Sequence, residues 1–66
     1  MSDEERFNEL GIPIGKKFEL DELNGYYMLD IEHRKVIDMN TWPYRYVSGL
    51  YESLLRGCYH IRNVFE

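Results

Sequence analysis

Residues 16–39 read KKFELDELNGYYMLDIEHRKVIDM, and the fold turns on them. Lys16-Lys17-Phe18-Glu19-Leu20 alternates polar and apolar with the period of two that marks a half-buried strand, with Phe18 and Leu20 inward. Asn24-Gly25 supplies the positive φ angles that a tight reversal requires. Residues 26–31 suit a pleated, partly buried surface and are apolar on both faces, which points to a central strand. Glu32-His33-Arg34 is a polar reversal, and Lys35-Val36-Ile37-Asp38-Met39 supplies a third strand. Three strands joined by short reversals predict an antiparallel meander.

Working outward toward the N-terminus, Ser2-Asp3-Glu4-Glu5 has the form of a capping box, with Ser2 capping free helix amides and Glu5 reaching back. Phe7 and Leu10 share one face of the short helix that follows. Gly11 can end it in the left-handed conformation, Ile12 can pack back on it, and Pro13 forbids continuation. Toward the C-terminus, Asn40-Thr41-Trp42-Pro43 is a loop, because proline pushes Trp42 out of the helical region. A second helix follows with two candidate starts. Either Pro43 opens a helix running from about Tyr44 to Arg56, or Ser48 caps a shorter one beginning at Gly49. In both cases Val47, Leu50 and Leu54 share a face, Leu55 broadens the stripe beside Tyr51, and Gly57 is the stop. Cys58-Tyr59-His60-Ile61-Arg62 alternates as a last strand, which must pair with an edge of the meander for its backbone groups to be satisfied. The expected architecture is α+β in one domain, residues 1–66: a small antiparallel sheet of about four strands with two short helices, in the order helix, three-strand meander, helix, strand.

Composition sets the limits of this reading. A chain of 66 residues with 44% hydrophobic content can fold, but around a thin core. Six tyrosines, three phenylalanines and one tryptophan supply much of its bulk, so some tyrosines must lie at the surface. Cys58 is the single cysteine, which rules out an intramolecular disulfide and fits a reducing compartment. The acidic N-terminus lacks the layout of a secretory signal, and no apolar run is long enough to span a membrane, so the expected location is cytoplasmic. The net charge of −4 is unevenly placed, −6 over residues 1–33 against +2 over residues 34–66. A net negative chain gains little from phosphate neutralisation, which disfavours nucleic acid as a partner.

The opening RFNELGIPIGKKFEL, the paired Tyr26 and Tyr27, and the closing LYESLLRGCYHI resemble small uncharacterised proteins encoded by phages and prophages of low-GC Gram-positive bacteria. In these an amphipathic helix ends in Leu-Leu-x-Gly-x-Tyr-x-Ile, here Leu54, Leu55, Gly57, Tyr59 and Ile61. The resemblance implies the fold and a phage or prophage origin. It carries no activity and no site residue.

The residues offer little chemistry. Cys58 and His60 would project from one face of a strand with His33 elsewhere, fewer ligands than a zinc site needs, so they are expected to be ordinary strand residues. Asp21, Glu22, Asp30 and Glu32 fall at turns and strand ends, where acids are usually solvated, and the glycines are dispersed as punctuation rather than gathered in a phosphate loop. The expectation is therefore a protein with no catalytic residue, no metal, no cofactor and no enzymatic activity.

The stronger feature is Trp42-Pro43-Tyr44-Arg45-Tyr46, since tryptophan, tyrosine and arginine are the residues enriched at interface hot spots. Trp42, Tyr44, Arg45 and Tyr46 form a candidate partner surface; the structural alternative is that Trp42 and one tyrosine plug the end of the core. Three functions follow. The first is a protein-binding accessory module using this surface and the neighbouring strand edge. The second is an inhibitor that imitates nucleic acid through Asp3, Glu4, Glu5, Glu9, Glu19, Asp21 and Glu22. The third is single-stranded nucleic-acid binding, with tyrosines stacking bases and Lys16, Lys17, Arg34 and Lys35 holding phosphates. The expected partner is another protein, homodimerisation through an unpaired strand edge is compatible with each reading, and no membrane is involved.

Overall fold

The computed structural model describes residues 2–65, and along them run α1 (Asp3–Glu9), β1 (Lys17–Leu20), β2 (Tyr27–Asp30), β3 (Lys35–Asp38), β4 (Arg45–Val47), α2 (Leu50–Leu55) and β5 (Ile61–Phe65). The strands form one sheet in the order β4-β3-β2-β1-β5, with every neighbouring pair antiparallel. The α+β class and the central meander are as the sequence predicts, and the last strand joins the meander at its β1 edge.

The two helices end in the same way. In α1 the Ile12 amide donates to the Phe7 carbonyl at 2.9 Å and the Gly11 amide to that of Asn8 at 3.1 Å. In α2 the Cys58 amide donates to Ser53 at 3.1 Å and the Gly57 amide to Leu54 at 3.0 Å. This paired return satisfies carbonyls that the helix leaves open, and it requires a left-handed residue, here Gly11 at φ 75° and Gly57 at φ 78°. At the other end of α1, Ser2 Oγ accepts from the Glu5 amide at 3.2 Å.

Four details depart from expectation. The sheet has a fifth strand, β4, in the stretch where a longer second helix was one of two alternatives. Arg45, Tyr46 and Val47 pair with Asp38, Ile37 and Val36, so Pro43 opens no helix. The helix begins after Gly49, whose left-handed backbone (φ 76°) makes it the cap in place of Ser48. The last strand runs over Ile61–Phe65, leaving Cys58, Tyr59 and His60 in the approach to it. Finally, Asn24-Gly25 is part of a longer connection between β1 and β2 over residues 21–26, not a two-residue hairpin turn.

One face of the sheet carries the core. Phe18, Leu20, Tyr27, Leu29 and Val36 point toward the helices and are buried with Phe7, Ile12, Leu50, Tyr51 and Leu54. Phe7 meets Tyr51 edge to face at 5.2 Å, an arrangement favoured by the aromatic quadrupole. The Tyr51 hydroxyl donates to Asp3 Oδ2 at 2.7 Å, and Arg34 adds an Nη1–Oδ2 contact of 3.6 Å to the same carboxylate while lying over the Tyr51 ring. Burial, then the bond to Asp3, pushes the Tyr51 hydroxyl pKa far above its ordinary value near 10. Among the described residues no helix is long and apolar enough to cross a membrane.

Candidate partner-binding edge

The sheet's other face has no helix over it, and β4 lies at its border. Alternation along β4 sends Val47 toward the helices opposite Val36, and Tyr46 to the open side opposite Ile37. Tyr46 is 53% exposed, Tyr44 48% and Trp42 82%, so these aromatics do not plug the core end. Trp42 and Tyr44 touch edge to face with ring centroids 5.0 Å apart. Ile37, Tyr44, Arg45 and Tyr46 line a shallow groove of about 220 Å³. A second hollow, of about 410 Å³, opens beside Val47, Leu50 and Ser53. The four residues expected to form a partner surface are thus together on one edge.

Asp30 holds this edge in place. Its Oδ2 accepts from the Tyr46 hydroxyl at 2.9 Å and lies 2.9 Å from His33 Nδ1, while Oδ1 accepts from the His33 amide at 3.2 Å. The Tyr46 bond, then those from His33, keep the Asp30 carboxyl below its usual pKa, and the same bond raises the Tyr46 hydroxyl. The effect is to pin the Tyr46 ring across β3, which fixes the orientation of the groove wall. The Arg45 side chain, by contrast, makes no ion pair or hydrogen bond among the described residues; Asp38 opposite it accepts instead from the amide and side chain of Asn40, at 2.9 and 2.6 Å.

Sequence reasoning missed Ile37 and the Asp30–His33 pair. The Asp-x-x-His spacing across a turn is the one signal that could have exposed the pair, because an aspartate before a turn commonly accepts from the backbone. Ile37 enters the groove only through the β3–β4 register, which the local sequence does not specify.

Other candidate groups are dispersed. Cys58 is exposed, and His60 is tied to Glu22, which accepts from its amide at 2.8 Å and lies 2.6 Å from its Nδ1. That carboxylate raises the His60 pKa, and the hydrogen bond with His60 lowers that of Glu22. Among the described residues no three of His, Cys, Asp and Glu gather as a metal site would require. Of the cations considered for phosphate contact, Arg34 faces Asp3 and Tyr51 on the helix side, whereas Lys17 lies over the Tyr26 and Phe65 rings at 4.9 and 5.3 Å. Of the acids considered for mimicry, Asp3 and Glu22 are engaged within the fold, and Glu4, Glu5 and Glu9 ride on α1. Comparison with known protein families, with curated proteins and with solved structures finds no match.

Proposed function

We propose that this chain is a non-enzymatic accessory module that binds another protein through Trp42, Tyr44, Arg45 and Tyr46 and the adjoining edge of β4, in a phage or prophage setting. The observation that carries it is the exposure of Trp42, 82% in a domain whose core has little apolar material to spare. Large aromatic groups left in water cost solvation free energy in the free protein, and a partner that covers them recovers it. A preformed groove and an open strand edge beside them add shape and backbone valence to the same surface.

Affinity capture with the wild-type chain and the double variant Trp42→Ala, Tyr44→Ala, quantified side by side, tests the proposal. The same proteins recovered in equal amounts by both would remove this surface from consideration. Placement of the gene among phage genes supports the proposed origin, and a chromosomal neighbourhood free of phage genes counts against it.

A further inference from the structure

We infer that the β4 edge accepts an extended acidic peptide strand, with an apolar side chain in the groove beside Tyr46 and a carboxylate beside Arg45. This rests on the docking function proposed above and narrows its partner. The edges of the sheet differ in how they resist strand addition. At the β5 border the register slips between Glu19 and Leu20, and an irregularity of this kind blunts an edge. β4 pairs with β3 without interruption, and Arg45 is its only charge.

That charge sets the chemistry of the guest. Cross-strand neighbours face the same side of a sheet, so a strand added to β4 sets successive residues opposite Val47, Tyr46 and Arg45. Opposite Val47 lies a hollow that also touches Leu50; opposite Tyr46 lies the groove with Ile37 and Tyr44; opposite Arg45 lies a guanidinium without a partner among the described residues. The matching sequence is apolar, apolar or aromatic, then acidic. A second copy of β4 does not meet this pattern. Antiparallel pairing centred on Tyr46 sets Arg45 opposite Val47, and no register supplies an acid, because β4 contains none. The acids of α1 are held in a helix and cannot act as an extended strand.

The test uses the full chain and three end-capped, fluorescein-labelled peptides, Ser-Thr-Val-Tyr-Xaa-Thr-Ser, with Xaa as Glu, Gln or Lys. In wild-type protein the Glu peptide binds about fivefold or more tightly than the Lys peptide, the Gln peptide lies between, and amide shifts concentrate at residues 44–48. Arg45→Glu, at an exposed position, inverts the order. An order unchanged by Arg45→Glu, with shifts still at β4, overturns the acidic preference but leaves edge docking intact. If no peptide binds at millimolar concentration while the Trp42→Ala, Tyr44→Ala variant still loses its captured partner, strand addition is wrong and the docking function stands. Equal capture by wild type and double variant removes that function itself. A concentration-dependent dimer that the peptides compete away assigns the edge to a second copy and overturns the inference.

Discussion

The two faces of the sheet show what a small domain can and cannot bury. Under the helices, Phe18, Leu20 and Val36 have no exposed surface, and even Tyr51 finds a carboxylate for its hydroxyl. On the opposite face, Met28 and Ile37 are half-covered by neighbouring side chains alone, and Tyr26 and Tyr46 stand in solvent. Two helices of seven and six residues can cover one side of a five-stranded sheet. The apolar groups on the second side stay partly in solvent.

The largest expected effect follows from that asymmetry. Leu54→Ala, at the point where α2 meets the sheet, should cost about 2–5 kcal/mol through lost transfer energy and a cavity. A domain of this size rarely holds more than about 3–5 kcal/mol in all, so the variant should be largely unfolded at 25 °C by circular dichroism. Ile37→Ala on the open face should remain folded and lose about 1 kcal/mol or less in urea titration, because little of its surroundings is closed off. Comparable losses at both positions would mean that the open face is covered in solution.

The same asymmetry governs what could be read from the residues alone. The covered face is legible: Phe18 and Leu20 alternate, Phe7 falls at helical spacing from Leu10 and Leu54 from Leu50, and Gly11 and Gly57 end their helices where expected. Burial imposes a period, and a period can be read. β4 resisted assignment because Val47 fits two patterns at once, the stripe it would share with Leu50 and Leu54 in a helix and the alternation with Arg45 in a strand. Gly49 separates these structurally, yet in sequence it only weakens one of them. The alternation of Tyr59 and Ile61 places the expected last strand too early in the chain, because Tyr59 packs on the core from outside β5 and the exposed run from Arg62 to Val64 has no alternation. The aromatic content of residues 42–46 was visible, whereas the groove wall at Ile37 and the Asp30 anchor come from register alone.

A smaller contrast lies between two tyrosine hydroxyls that both donate to aspartate. Tyr51→Phe removes a bond in the covered layer and should cost about 1–2 kcal/mol, whereas Tyr46→Phe on the open face should cost clearly less, since water replaces the lost partner. They differ in pH dependence as well. Because the folded Tyr51 pKa lies above its unfolded value near 10, its contribution is complete below pH 10 and is lost as pH rises beyond it. Wild-type protein should therefore lose stability above about pH 10 more steeply than Tyr51→Phe in chemical denaturation at stepped pH. Parallel curves would deny Tyr51 that role.

The Glu22–His60 clasp joins the residues before β5 to the β1–β2 connection in full solvent, so its effect is weaker still. Glu22 raises the His60 pKa, so the stabilisation is fully present below the ordinary histidine value and fades as pH rises through the folded one. His60→Gln should flatten the fall in melting temperature between about pH 6 and pH 8 without changing the fold. An unchanged slope would show that the clasp does not couple to stability.

The smallest expected change in stability comes from the largest side chain. Trp42 is 82% exposed and touches Tyr44 only by an edge contact, so Trp42→Ala removes almost no buried surface and should alter stability by less than about 0.5 kcal/mol. As the single tryptophan, it reports on its own surroundings. Its fluorescence in the free protein should already have the emission of an indole in water and should move little on full denaturation, then shift to the blue when a partner is added. A clear red shift on unfolding would mean that Trp42 is already covered in the free protein, and the open edge would lose the residue that most sets it apart from the face beneath the helices.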